Sequence, residues 1–254
     1  MLKQTLLNIK TKGISSNLPA LVAFLDYLYL KLPLPVSAYV YAIARNTLFR
    51  DARRPYFKAI FENVSSAKLE GDYLEFGVFR GTSFIMASQL AQTYNMPTMR
   101  LFAFDSFEGL PASEGKAFTK GEFSCSEYLF KKIIEKAGVD LSKVVIVKGF
   151  YSEALNEDLK KTHNIKAAIV HIDCDLYSST KEVLNFIENI VTHGTILIFD
   201  DWDSFKDEDV ENMGERKAFK EWSLFNCFDE LCDFGGCGKA FIMKESPVLS
   251  QRAC

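Results

Sequence analysis

The chain predicts an α/β fold: a mostly parallel sheet covered by helices on both faces, preceded by a helical extension and closed by an antiparallel hairpin. Three observations lead there. Up to about residue 68 the apolar residues recur at helical spacing. After Gly71 short apolar runs alternate with longer amphipathic segments, the pattern of strands buried on both faces and joined by helices. Near the end, two further apolar runs flank Asp233-Phe234-Gly235-Gly236, a good turn. The predicted organisation is a helical extension over 1–68, the α/β domain over 69–246 and a tail over 247–254.

In the extension, Leu21, Phe24, Leu25 and Leu28 form an i, i+3, i+4, i+7 stripe. Pro33 and Pro35 end that helix, and a second follows with Val36, Tyr39, Val40 and Ile43. A third runs from about Arg53 to Ala67. Asp26, Lys31 and the prolines interrupt residues 18–44, so no run of about 20 apolar residues is left to span a membrane. These stripes exceed what a covered sheet can use, which predicts a lid over the sheet or a homodimer surface. The strands of the domain are Tyr73–Gly77, Arg100–Asp105, Lys143–Lys148, Ala167–Asp173 and Thr195–Asp200. Helices fall at about 82–94, 125–137, 152–160 and 179–191, the last with Ser179 and Glu182 spaced as a capping box. Leu224–Leu231 and Lys239–Lys244 make the hairpin.

Thirty basic against thirty-three acidic residues leave a net charge of −3, so no global field recruits nucleic acid or an anionic membrane. Six cysteines without a CxxC pair read as reduced thiols. With no basic-apolar-small leader pattern, a cytoplasmic protein is expected.

Ligands of such sheets bind beyond the carboxyl ends of the strands. The first strand ends Leu74-Glu75-Phe76-Gly77-Val78-Phe79-Arg80-Gly81-Thr82-Ser83. Its glycines allow a tight turn and close approach of a ligand at a helix start. Glu75 stands where the dinucleotide fingerprint has its first glycine. A carboxylate there repels a pyrophosphate and suits a cationic ligand, favouring S-adenosylmethionine over NAD. The second strand ends at Asp105-Ser106, a carboxylate placed to accept both ribose hydroxyls. The third ends at Gly149, where a flat base can lie close.

The fourth strand ends His171-Ile172-Asp173-Cys174-Asp175-Leu176-Tyr177-Ser178-Ser179-Thr180, and the fifth Ile198-Phe199-Asp200-Asp201-Trp202. Paired in parallel, about 4.8 Å apart, these strands would bring four carboxylates together. Asp173 and Asp175 share a face if the backbone stays extended. Such a cluster repels itself unless a cation or shared protons neutralise it, and hard oxygen donors select Mg²⁺, Mn²⁺ or Ca²⁺ over zinc. The competing reading is a set of helix caps and solvated loop charges. His171, inside an apolar strand, reads as a buried, hydrogen-bonded histidine rather than a base. No Gly-x-Ser-x-Gly elbow and no P-loop motif occurs, which removes the common hydrolase and NTPase readings.

Over about residues 70–202, these segments resemble the macrocin O-methyltransferase family, enzymes that methylate sugar hydroxyls on natural products. The His-Ile-Asp-x-Asp-Leu-Tyr-x-Ser-Thr run is the most specific match. The resemblance implies a Rossmann-like class I methyltransferase fold, S-adenosylmethionine as donor and a divalent ion, usually Mg²⁺. By position it implies Asp173, Asp200 and Asp201 as metal ligands and Asp175 as general base. For the donor pocket it implies Glu75, the turn at Gly77 and Asp105. Around these, Gly81, Thr82, Ser83, Ser106, Gly149 and Asp173 complete the expected donor contacts. The expected acceptor is a hydroxyl of a sugar or sugar-bearing small molecule. A catechol presents the same vicinal oxygens, and a non-catalytic S-adenosylmethionine-binding protein would keep the sheet; both remain open at the level of sequence.

Overall fold

The computed structural model describes residues 53–205, 212–224, 227–234 and 238–244. The chain divides into two compact units, Met1–Asp51 and Ala52–Cys254. The two helices expected before residue 52, the lid or dimer surface built on them, and the tail at 247–254 lie outside the described residues.

Helix α1 (Arg54–Ser66) opens the second unit, with a proline in its first turn, where a missing N–H costs nothing. The helix expected over about Arg53 to Ala67 therefore falls in the second unit. Its Phe57, Ile60, Phe61 and Val64 are all buried in the core beneath one face of the sheet. The sheet has seven strands in the order β3-β2-β1-β4-β5-β7-β6. Strands β1 (Asp72–Phe76), β2 (Leu101–Asp105), β3 (Val144–Lys148), β4 (Ala167–Ile172) and β5 (Ile196–Phe199) are parallel. Strand β7 (Lys239–Met243) runs antiparallel to both β5 and β6 (Phe228–Asp233). This is the predicted α/β sheet with its closing hairpin.

Alternation along the strands divides the core in two. Tyr73, Ala103, Ile169 and Ile198 face α1, α2 (Thr82–Thr93) and α3 (Glu127–Lys136). Leu74, Phe104, Val170 and Phe199 face the other layer. That layer contains α4 (Tyr151–Ala154), α5 (Glu157–His163), α6 (Tyr177–Ile187) and α7 (Gly214–Ser223). Each fully buried Phe, Leu or Ile contributes about 1.5–3 kcal/mol, so both layers are needed to hold the strand ends in register.

Four expectations change. The helix expected at 152–160 is two short helices, because Asn156 caps the second by accepting from the Leu159 N–H at 2.9 Å. Helix α6 starts two residues early, at Tyr177 after Leu176, so Ser179 lies inside its first turn and forms no capping box. The Glu114 carboxylate, from a distant loop, takes the Tyr177 N–H instead, at 2.7 Å. Helix α7 was not anticipated; its apolar face is short, Ala218, Phe219 and Trp222 among many charges. Strand β6 therefore begins at Phe228, since Leu224 is the C-cap of α7. Among the described residues no helix is long and apolar enough to cross a membrane.

The ladder continues past the strand ends. Asp173 N–H donates to Phe76 O at 2.9 Å, and Asp200 N–H to Ile172 O at 3.0 Å. Gly77, with φ +88°, makes room for this: a Cβ there would lie 1.8 Å from the Asp173 carbonyl oxygen. Gly121 has a similar φ, +84°, with nothing within 4 Å of its would-be Cβ. Replacing each by alanine separates backbone strain from collision. Gly121→Ala should cost about 1 kcal/mol, and Gly77→Ala about 3 kcal/mol or more, in urea unfolding. Equal costs would show that the approach of Asp173 to Gly77 is not a constraint.

Candidate active site

A cavity of about 460 Å³ opens at the carboxyl edge of the sheet. Its floor is made by strand ends: Gly77 after β1, Asp105 and Ser106 at β2, Gly149 after β3, Asp173 and Asp175 after β4, Asp200 and Asp201 after β5. Leu110, Phe118 and Phe123, from the loop between β2 and α3, close one side. That loop is anchored by Glu114, whose two carboxylate oxygens accept from Tyr177 N and Gly214 N, at 2.7 and 2.8 Å. Both are first residues of helices, where unpaired N–H groups and the helix dipole favour a carboxylate.

Three of the aspartates, 173, 175 and 201, each offer a carboxylate oxygen within 4.8 Å of the others. His171, Asp173 and Asp200 form a second such group. The extended backbone that would set Asp175 on the same face as Asp173 does not occur. Asp175 has φ +65°, a left-handed turn that swings the side chain beside Asp201. Asp and Asn tolerate this conformation better than most residues.

Burial raises the carboxyl of Asp175 to about 11, reinforced by Asp201 and Asp173. Burial likewise pushes Asp173 well above the carboxylate range, with Asp200 adding to it, and Asp201 also rises. Asp200 goes the other way. Burial would raise it, but His171 and Arg53 hold it well below the usual range. Arg53 Nη1 donates to Asp200 Oδ1 at 2.7 Å and lies 3.7 Å from Asp173 Oδ2.

His171 is fully buried and sits opposite Glu75 in the β1–β4 register. Its Nε2 is 3.4 Å from Asp200 Oδ1, its Nδ1 3.5 Å from Glu75 Oε2 and 3.3 Å from the Tyr73 hydroxyl. Burial opposes its charge, but hydrogen bonds to Asp200 and Glu75 override that and raise its pKa to about 10. It is a hydrogen-bonded core histidine, and it also steadies Asp200.

The donor-pocket residues divide. Gly77, Asp105, Ser106, Gly149 and Asp173 line the cavity; Glu75, Gly81, Thr82 and Ser83 do not. Glu75 points to the α1 side of the sheet, accepting from Ser83 Oγ at 2.7 Å and from the Tyr73 hydroxyl. Gly81 packs on Phe130 and Ile134, and Thr82 is exposed. Asp105 accepts from the backbone N–H groups of Val78, Phe79 and Phe107 at 2.9, 3.1 and 2.7 Å. That leaves about one of its four acceptor positions for a ligand, so it cannot grip two hydroxyls without releasing a backbone donor.

Three residues escaped the sequence reading: Arg53, Glu114 and Glu215. Glu215, on α7 and fully buried, accepts from Asp201 N at 3.0 Å and Cys174 N at 3.4 Å. It ties the loops after β4 and β5 together from below. An acidic residue in the first turn of a helix is the signal for it, and nothing in the spacing points it at Asp201.

Fold and site together define a class I methyltransferase architecture with an acidic cluster beside its cavity. Residues 43–220 match the macrocin O-methyltransferase family, and the chain belongs to that family. Over 151 residues, 56% of each chain, it is 24% identical to a curated relative from Streptomyces olivaceus. That relative is the 8-demethyl-8-(2,3-dimethoxy-alpha-L-rhamnosyl)-tetracenomycin-C 4'-O-methyltransferase, so the match spans little more than half of its length. Among solved structures, the calicheamicin methyltransferase CalS11 superposes with a TM-score of 0.67 at 22% identity, covering 90% of this chain and 93% of that one. The O-methyltransferase NovP gives 0.60 at 19%, covering 76% and 80%. An O-methyltransferase from Bacillus cereus in complex with SAH gives 0.50 at 16%, covering 88% and 97%. At these identities the structures speak to fold.

The electrostatics predict a pH dependence in chelator. An unfolded aspartate ionises near 4 and an unfolded histidine near 6.5. Asp175 and His171 both hold their protons more tightly when folded, up to about 11 and about 10. Their contribution is full below the unfolded values and is lost as pH rises towards the folded ones. Asp200 has the opposite sign, but its loss falls at acid pH. The melting temperature in chelator should therefore decline from about pH 6 to about pH 9, and less steeply in Asp175→Asn. A flat profile for the unmodified chain would contradict this.

Proposed function

We propose that the protein is an S-adenosylmethionine-dependent, divalent-metal-dependent O-methyltransferase acting on a hydroxyl of a sugar or sugar-bearing small molecule. The observation that carries the reading is the convergence of four aspartates, one buried and three half-buried, on the wall of a single cavity. The donor set fits a hard cation: the carboxylate oxygens lie close enough to share one ion, and burial, with mutual repulsion adding to it, raises three of the four carboxyls in its absence. Support for the donor and acceptor comes from the family, the rhamnosyl-tetracenomycin relative and the SAH complex of the Bacillus cereus structure.

In this reading Asp173, Asp200 and Asp201 would hold the ion, and Asp105, Ser106, Gly77 and Gly149 would face the donor. When bound, the donor supplies a methyl group on a sulfonium, and the ion lowers the pKa of an acceptor hydroxyl. The remaining work falls to the chain. Asp175, set beside Asp201 by its left-handed turn, is the assigned base. Burial and its acidic neighbours keep it protonated in the ion-free cluster, so it takes the hydroxyl proton only when a bound cation has relieved that repulsion. His171 and Glu215 set Asp200 and Asp201, one through a side chain and the other through a backbone N–H. Leu110, Phe118 and Phe123 give the cavity an apolar side wall.

The division of labour is testable by following S-adenosylhomocysteine release across a Mg²⁺ titration, with a glycosylated acceptor and chelator as control. Asp175→Asn should keep Mg²⁺ binding and lower turnover by about 10²–10⁴-fold. Asp200→Asn should instead raise the Mg²⁺ concentration needed for half-maximal rate. Full activity in chelator would overturn the metal role; a normal rate for Asp175→Asn would overturn the base assignment.

A further inference from the structure

Arg53 brings a permanent positive charge into the carboxylate cluster. Its guanidinium reaches two of the three aspartates assigned to the ion, at 2.7 Å from Asp200 and 3.7 Å from Asp173. The three side chains are only 24%, 28% and 20% exposed, so solvent and salt screen them weakly. Arg53 is the N-cap residue of α1, whose Phe57 packs edge-on against His171 with ring centroids 5.2 Å apart. The helix that carries the arginine is thus anchored on the floor of the site itself.

We propose that Arg53 is the protein's own counter-ion for this cluster: a positioning residue that holds Asp200 and Asp173 in place and opposes binding of a divalent ion. The inference rests on the divalent-ion reading above. A guanidinium within hydrogen-bond distance of a ligand oxygen repels a doubly charged ion on that same oxygen, and it cannot escape by deprotonation. Orientation of the ligands does not depend on it alone. Asp200 keeps the contact with His171 Nε2, and the backbone N–H groups of Asp173 and Asp200 stay bonded to Phe76 and Ile172. Removing the arginine therefore takes away more repulsion than positioning, and the ion should bind more tightly. Without any ion, the same change leaves the aspartates short of a counter-charge, and the fold should lose stability.

The test uses the full chain with Arg53→Met, which keeps the length and loses the charge, and Arg53→Lys, which keeps the charge. Mg²⁺ affinity is measured by calorimetry after chelator is dialysed away, and melting temperature with and without Mg²⁺. Arg53→Met should bind Mg²⁺ about tenfold more tightly than the unmodified chain, and Arg53→Lys close to it. Arg53→Met should also melt lower in chelator and gain more from Mg²⁺. A folded Arg53→Met with equal or weaker affinity overturns the proposal while leaving the metal reading intact. Absence of binding by every form overturns both. Should Arg53→Met not fold, Arg53→Gln is held to the same criterion.

Discussion

Four aspartates held side by side and largely out of water repel one another, and much of the molecule can be understood as the means of keeping them there. Two parallel strands deliver them: β4 and β5 pair in register, and their ladder runs on through the N–H groups of Asp173 and Asp200. Arg53 and His171 supply positive charge to one side of the cluster. Glu215 fixes the backbone on the other. A fold under selection for stability alone would not concentrate acids in this way, because burial disfavours their charged forms.

The supports come from three separate layers. Arg53 reaches in from the start of α1, His171 from the middle of the sheet, and Glu215 from the first turn of α7. Glu75, buried behind His171, connects β1 to the same network through Tyr73 and Ser83. The turn after β1 and the acidic cluster therefore share one buried polar system, although only the cluster faces the cavity. Asp105 has a comparable double role, as its carboxylate stitches Val78, Phe79 and Phe107 before any ligand arrives.

Much of this was legible in the sequence. Buried parallel strands leave continuous apolar runs, and each run here stops at a charged or glycine residue, so β1 to β5 and the four aspartates could be placed from pattern alone. Long-range partners were not legible. Arg53 and Asp200 stand 147 positions apart, and Glu114 and Gly214 stand 100 apart, with no periodicity relating them. A lone charge in an amphipathic helix or a polar loop looks solvated until the tertiary contacts are known. Glu75 is the opposite case: its place in the motif suggests a ligand contact, whereas strand alternation turns it towards Tyr73 and Ser83, away from the cavity lining. Edge strand β6 was misplaced because its half-buried residues carry little apolar signal.

The central claim is that this cluster exists to bind a divalent cation, and anomalous diffraction from crystals soaked in Mn²⁺ tests it most directly. The account predicts one strong peak at the carboxyl edge, in contact with Asp173, Asp200 and Asp201, with Asp175 facing it from outside the coordination shell. A peak confined to the surface, or an ordered cavity with no peak at millimolar Mn²⁺, would contradict it.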